Sequence, residues 1–211
     1  MIMFIRKISF QISFIFLAFF LTGCATTKKP VPSGFLEDYS NVEEMDSEGG
    51  VYISQNSEKK LTDYSKFKIE PVEIRFHPGA HEGVDDAELK QLVEFYDSHL
   101  KQIFGEKYQI VDTTGEDTAI LRTAITDVKP NKIYLNLHWS TTLLGAGIGG
   151  ADFEADFVDS VTGESIISVM DAKKGKRTKY FKGLTKWGHT KSVIEAWAKT
   201  LVELADKSKE K

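Results

Sequence analysis

From Ala151 to Val158 the chain alternates strictly, with Ala151, Phe153, Ala155 and Phe157 set against Asp152, Glu154 and Asp156. A period of two is the signature of a strand with unlike faces, because successive side chains leave a strand on opposite sides. A slip of one residue would exchange the two faces, so burial of the apolar one fixes the register. Thr162-Gly163 is a turn pair and Ile166 to Met170 is a second apolar run, which makes the two runs a hairpin. A lone hairpin cannot hide its apolar face, so something else in the chain has to cover it.

Two amphipathic helices are available for that purpose. Asp85 with Glu88 gives a capping-box-like start; Leu89, Leu92, Val93, Tyr96, Leu100, Ile103 and Phe104 then recur at steps of three and four, and Gly105 stops the run. The second helix spans about Gly188 to Asp206, with Val193, Ile194, Trp197, Leu201, Leu204 and Ala205 as its buried stripe. Further strands are expected at Lys68 to Phe76, with a slip at Pro71 that suits an edge, and at Tyr108 to Val111. Two more are expected at Ala119 to Val128 and, after Pro130-Asn131, at Ile133 to Trp139. The pattern predicts an α+β fold: a largely antiparallel or mixed sheet of five to six strands with two amphipathic helices on one face.

The front of the chain reads as an address. Arg6 and Lys7 precede an apolar stretch from Ile8 to Leu21, which at about 14 residues is shorter than the roughly 20 needed to cross a bilayer. Leu21-Thr22-Gly23-Cys24 resembles a bacterial lipobox, which implies cleavage between Gly23 and Cys24 and lipidation of Cys24. The chain has only this one Cys, so an internal disulfide or a thiolate zinc site is excluded. Several acyl chains would hold the protein firmly, since each buried methylene contributes about 0.8 kcal/mol. Ala25 after the Cys implies, by the sorting rule of enteric bacteria, the outer membrane with the protein facing the periplasm.

Residues 1–23 are therefore read as the signal peptide, 24–33 as the lipidated Cys and tether, 34–66 as an acidic extended arm, 67–206 as the α+β domain and 207–211 as a charged tail. The arm has Phe35, Tyr39, Tyr52 and Tyr64 as anchors but no sustained period, and is expected to wrap over the domain. The order of Ser33-Gly34-Phe35-Leu36 with Asp38-Tyr39, Tyr64 before Ile69-Glu70-Pro71-Val72, Gly149-Gly150-Ala151 leading to Glu154, and Asp159 to Glu164 forms a recognisable series. With Trp187-Gly188 and Trp197-Ala198 it resembles the bacterial lipoproteins grouped as domain of unknown function 3313. The resemblance covers about Ser33 to Leu204. It implies an envelope lipoprotein and brings no established activity, cofactor or catalytic residue.

Four features are candidate sites. Gly145, Gly147, Gly149 and Gly150 match the letters of a dinucleotide fingerprint, but a strand follows where that motif needs a helix N-terminus to hold the pyrophosphate. A connection or bulge between strands is the better reading, with contact to lipid or a partner subunit as the alternative. Asp152, Glu154 and Asp156 form an acidic row. A solvated outer face outweighs a Ca²⁺ site, because alternate residues on a strand stand about 7 Å apart. His77, His81 and Glu82 surround Pro78-Gly79, which makes a polar turn the stronger reading over a ligand set.

The fourth feature is the segment from Lys173 to Lys191, which carries eight basic residues, among them Lys173, Lys174, Lys176 and Arg177, and no acid. A solvated loop is the plain reading, and attraction to anionic headgroups the sharper one. The overall net charge of −4 argues against a nucleic-acid partner. No Ser stands in a nucleophile-elbow context and no free Cys remains to pair with a His. The expectation is a non-enzymatic outer-membrane lipoprotein without cofactor or resident metal. It would present an interaction or assembly domain, with an envelope protein or a second copy as partner. Binding of a glycan, lipid or metal is the alternative, and hydrolysis through the acidic row is weaker still.

Overall fold

The computed structural model describes residues 30–45, 50–80, 84–136, 148–174 and 184–207. They form one mixed sheet of eight strands: β1 Glu43–Glu44, β2 Val51–Gln55, β3 Lys66–Ile69, β4 Glu73–Ile74, β5 Gln109–Ile110, β6 Thr118–Lys129, β7 Gly150–Asp159 and β8 Ser165–Lys174. The helices are α1 Asp86–Gly105, the single turn α2 Ile133–Asn136, and α3 Gly188–Lys207, with a short 3₁₀ turn at Leu61–Asp63. Strand order is β1-β2-β8-β7-β6-β3-β5, with β4 also paired to β6. The expected class is correct, and the sheet is larger than the five to six strands expected because the acidic arm supplies β1 and β2.

The hairpin forms as its alternation requires. β7 pairs antiparallel with β8 on one side and with β6 on the other. Ile125, Phe153, Asp171 and Val51 lie opposite one another across four strands, and they face the helices. Asp85 caps α1, its carboxylate accepting from the Ala87 N–H at 2.9 Å. Leu89, Leu92, Tyr96, Leu100 and Phe104 of α1 and Val193, Ile194, Trp197 and Leu201 of α3 are buried in the same core. Tyr96 meets Phe153 edge-on at 5.2 Å between ring centroids, and Phe153 stacks on Trp197 at 5.4 Å.

Two expectations are overturned by local chemistry. Ile133–Asn136 is a helical turn, not the start of a strand to Trp139 (residues 137–139 lie outside those described). Alternation over so few residues does not choose between periods, and Pro130 ends β6 just before it. The strand expected over Lys68 to Phe76 is two short strands, β3 and β4, separated at Glu70-Pro71-Val72, and both run parallel to β6. β3 is not an edge at its start: β5 pairs with Lys66 and Phe67 on its other side.

The opposite face of the sheet has its own smaller core. Phe35, Leu36 and Val42 of the arm pack there with Tyr52, Ala124 and Met170. The register puts Ala124, Glu154, Met170 and Tyr52 in one row across the sheet. Both faces of β7 are thus covered, the first by helices and the second by the arm.

Candidate functional site

The acidic row lies on the arm-covered face, as its alternation demands. It is not solvated. Glu154 is 1% exposed and Asp156 5% exposed, which corrects the expectation of an outer, water-facing row. Alternation shows only which residues share a face, and a second segment of the chain supplies the cover.

Each carboxylate has different partners. Glu154 holds the arm: Ser33 donates its backbone N–H to Oε1 at 2.9 Å and Tyr39 donates its hydroxyl to Oε2 at 2.7 Å. The Tyr39 oxygen in turn accepts the N–H groups of Gly34 at 2.9 Å and Leu36 at 3.0 Å, which folds residues 33–39 into a knot around one phenol. Gly34 sits at φ +83° within it, a conformation suited to glycine. Burial, and then the bond to Glu154, raise the Tyr39 pKa above its ordinary value. The Phe35 ring lies under the Arg122 guanidinium at 5.4 Å.

Asp156 accepts hydroxyl hydrogens from Ser165 and, at 3.2 Å, from Ser168. Its pKa is raised, because burial outweighs those hydrogen bonds and the positive charge of Arg122.

Asp152 belongs to a third group at the Gly150 end of the sheet. The β6–β7 register shifts between Ile125 and Asp127, and that bulge places Asp127 directly opposite Asp152. His77 Nε2 lies 3.9 Å from Asp127 Oδ2, and the three ligand atoms of His77, Asp127 and Asp152 all fall within 4.8 Å of one another. Lys129 contacts Asp127 directly and lies 3.9 Å from Asp152. Burial pulls the Lys129 pKa down, but its bond to Asp127 and the charge of Asp152 outweigh it and leave the ammonium form favoured.

His77 also forms the expected polar turn: its carbonyl accepts from Ala80 N–H at 3.0 Å, and Gly79 takes φ +84°. His81 and Glu82 lie outside the described residues. Sequence reasoning missed Asp127 and Lys129. The available signal was the break in period at Ala124-Ile125-Thr126-Asp127-Val128, where Ile125 and Val128 stand three apart.

Beside this group, Asn131 joins three elements. Its Oδ1 accepts from Gly149 N–H at 2.8 Å and stands 2.9 Å from His189 Nδ1, and its own N–H donates to the Lys186 carbonyl at 2.7 Å. A β-carbon on Gly149 would stand 2.4 Å from the Lys129 carbonyl, so the close approach requires glycine. Gly150 opens β7, so the glycines lead into a strand and not into the helix whose first amides the dinucleotide motif would need, and that reading fails. Gly145 and Gly147 lie outside the described residues, as do Lys176, Arg177, Gly23 and Cys24. Lys173 and Lys174 end β8, opposite Ala151 and Gly150.

The far end of β7 is fixed by a fourth carboxylate, Asp159, which accepts from Lys59 Nζ and from the Tyr64 hydroxyl, each at 2.8 Å. The bond from Lys59 is the largest influence holding its pKa below the usual carboxylate range, while burial followed by the bond to Asp159 pushes Tyr64 up to about 12. A cleft of about 560 Å³ lies elsewhere, beside β3, between Ile69, Pro71, Lys101 and Val111, and none of the acidic row reaches it.

The uncharacterized lipoprotein YdcL of Escherichia coli K12 is 24% identical over 172 residues, covering 74% of this chain and 78% of YdcL. Among solved structures, the chain is similar to a PelC dodecamer from Paraburkholderia phytofirmans (TM-score 0.42, 12% identity, 72% of this chain and 96% of that one). A DUF4136 family protein from Bacteroides thetaiotaomicron has TM-score 0.38 and 10% identity, over 79% of this chain and 98% of that one. Residues 31–201, from the end of the tether into α3, match the family described as "Protein of unknown function (DUF3313)", and the chain belongs to that family.

Proposed function

We propose that Cys24 carries the lipid and that the chain is a non-enzymatic lipoprotein presenting its α+β domain to the periplasm from the outer membrane, as an interaction or assembly module. The observation that carries this reading is the arm lock. The segment that follows the lipobox is bound into the domain through Ser33, Tyr39 and Glu154, so an anchor at Cys24 would be tied to the sheet rather than to a loose tail. The uses of the acidic row support the non-enzymatic part. Glu154 and Asp156 are covered and hydrogen-bonded, and Asp152 faces a lysine, which leaves none of the three positioned as an acid or base on an open cleft.

The test uses the full-length chain in its native envelope. Cys24→Ala is expected to move the protein from the membrane fraction to the soluble fraction and to abolish palmitate incorporation. Density separation of the two membranes is expected to place the unaltered chain with the outer one. Cross-linking in the envelope is expected to recover a protein partner or a second copy. Membrane retention of Cys24→Ala would refute the anchor, and a chain that cross-links to nothing would refute the assembly role.

One observation favours ligand binding as a second reading. His77, Asp127 and Asp152 place an imidazole and two carboxylates around one point, a donor set suited to Zn²⁺, with the Lys129 ammonium beside it. Lys129 competes for the same carboxylates, so this reading predicts that Lys129→Ala strengthens Zn²⁺-induced thermal stabilisation and that His77→Ala removes it.

A further inference from the structure

β4 leaves part of the sheet's margin unpaired. Among the described residues it pairs with β6 alone, and β5 stops short of it, lying against Lys66 and Phe67 only. Arg75 N–H donates to the Ile125 carbonyl at 3.0 Å and His77 N–H to the Thr126 carbonyl at 3.2 Å. Alternate residues of a strand turn their amide and carbonyl to the same side, so those of Ile74 point away from β6, toward the open edge. Ile74 is also 42% exposed, the one exposed large apolar side chain among the described strand residues.

Such an edge is a template for a further strand, and proteins guard it with shortness, proline and charge. β4 is short and lies between Pro71 and Pro78, but its charges do not repel every partner. Glu73 and Arg75 share one face and bond to each other at 2.9 Å, with side chains 39% and 57% exposed. An ion pair that exposed holds weakly and accepts a further charged neighbour.

We propose that β4 pairs antiparallel with β4 of a second copy about a two-fold axis at Ile74, joining two domains edge to edge. The proposal rests on the assembly reading above and names its partner. The axis makes Ile74 its own counterpart, so each Ile74 amide donates to the other's carbonyl and the two side chains cover each other. It also sets Glu73 opposite Arg75 of the second copy and Arg75 opposite Glu73 of the second copy, so opposite charges meet at both positions. A shift of one residue would turn the Ile74 groups toward residues whose own groups are spent on β6. A shift of two would set Glu73 against Glu73, or Arg75 against Arg75.

The turn after β4 suits the same register. Pro78 of the second copy would come opposite Glu70, just short of Val111 and Asp112, which follow β5. The chain has left the strand by then: Ala80 N–H bonds back to the His77 carbonyl at 3.0 Å, and Gly79 takes φ +84°. Pro78 and Gly79 are exposed, and the place they would reach is the cleft of about 560 Å³ lined by Ile69, Glu70, Pro71 and Val111.

The test is thiol cross-linking of the full-length chain in its native envelope, where acylation of Cys24 leaves no other thiol. Ile74→Cys would set two β-carbons about 5 Å apart across the axis, within reach of a short bismaleimide. The expected product has twice the chain's mass, at a yield several-fold above that of Val161→Cys, an exposed position on the β7–β8 turn. Adding Glu73→Arg or Arg75→Glu to Ile74→Cys puts like charges opposite each other and is expected to cut the yield several-fold. Co-expression of those two variants with different tags is expected to restore it as a mixed pair. The bond within each chain stays broken in that mixture, so the recovery reports contact between chains. No dimer from Ile74→Cys, a yield no higher than that of Val161→Cys, indifference to the charge reversals, or a mixture that fails to recover overturns the proposal. Amine cross-linking of the unaltered chain tells this failure from failure of the assembly reading. A partner recovered there without the Ile74→Cys dimer overturns this edge and leaves assembly through another surface; no partner in either experiment overturns both.

Discussion

Glu154→Gln is the sharpest perturbation of the arm lock, because it keeps size and shape and changes only what the side chain can accept. In the native lock both partners of the carboxylate are donors, the Ser33 N–H and the Tyr39 O–H. An amide can accept one of them through its oxygen but must turn its NH₂ toward the other. Tyr39 cannot relieve the clash by becoming an acceptor, since its oxygen already takes the N–H groups of Gly34 and Leu36. One half-buried donor is thus left opposing another, at a cost of about 1–3 kcal/mol, and a charge-assisted bond of about 1.5–3 kcal/mol is lost with it. The two figures overlap, so the expected net loss is about 2–4 kcal/mol.

Local opening is the expected consequence, since only residues 33–42 depend on this contact. Hydrogen exchange at Leu36 and protease cleavage within the arm should accelerate by roughly 30-fold or more, as each 1.4 kcal/mol is a factor of ten. Tyr39→Phe should act similarly, and the double variant should cost clearly less than the sum of the two, because both single changes disable the same contact. Unchanged exchange at Leu36 in Glu154→Gln, or strict additivity in the pair, would refute the lock.

Three further outcomes follow from the same geometry. Gly149→Ala should destabilise the domain by about 2–4 kcal/mol in thermal or denaturant unfolding, since its β-carbon would meet backbone at 2.4 Å and neither strand end can yield without breaking the Asn131 contacts. Asp159→Asn should lower stability at neutral pH and flatten the acid limb of a pH–stability curve. A folded pKa below the unfolded value gives stability that is present above about pH 4 and lost as pH falls from there. Asp156→Asn should have the opposite sign: its raised folded pKa means stability is fully present below the unfolded pKa and declines as pH rises through the folded one, so the amide should be neutral or stabilising at pH 7, measured by the same titration.

Most of the layered fold was legible because it rests on periodicity. The hairpin, α1 and α3 each carry a long run at one period, and the structure places Phe153, Tyr96 and Trp197 against one another as those runs require. What was not legible depends on contacts distant in sequence. Nothing near Glu154 announces that Ser33 and Tyr39, more than a hundred residues earlier, will cover it. Nothing near His77 announces Asp127 either, because a bulge turned that residue toward Asp152. Asp171 makes the same point from the other side: it is 0% exposed among the helix-facing residues, and its charge adds to the burial that raises the Tyr96 pKa, although its sequence context reads as an ordinary strand.

The residues behind the family resemblance now acquire a physical meaning. Ser33, Gly34, Phe35, Leu36 and Tyr39 build the knot on Glu154, Tyr64 fastens Asp159, and Gly149 makes the close approach at Asn131. Ile69, Glu70 and Pro71 of the same series line the 560 Å³ cleft, whereas the knot, Tyr64 and Gly149 fix an end of β7 or residues 33–39. An arm that slid by one residue would leave the helix-side core unchanged but break the Ser33 and Tyr39 bonds to Glu154, so this knot is what would set the position of the domain relative to the anchor proposed at Cys24.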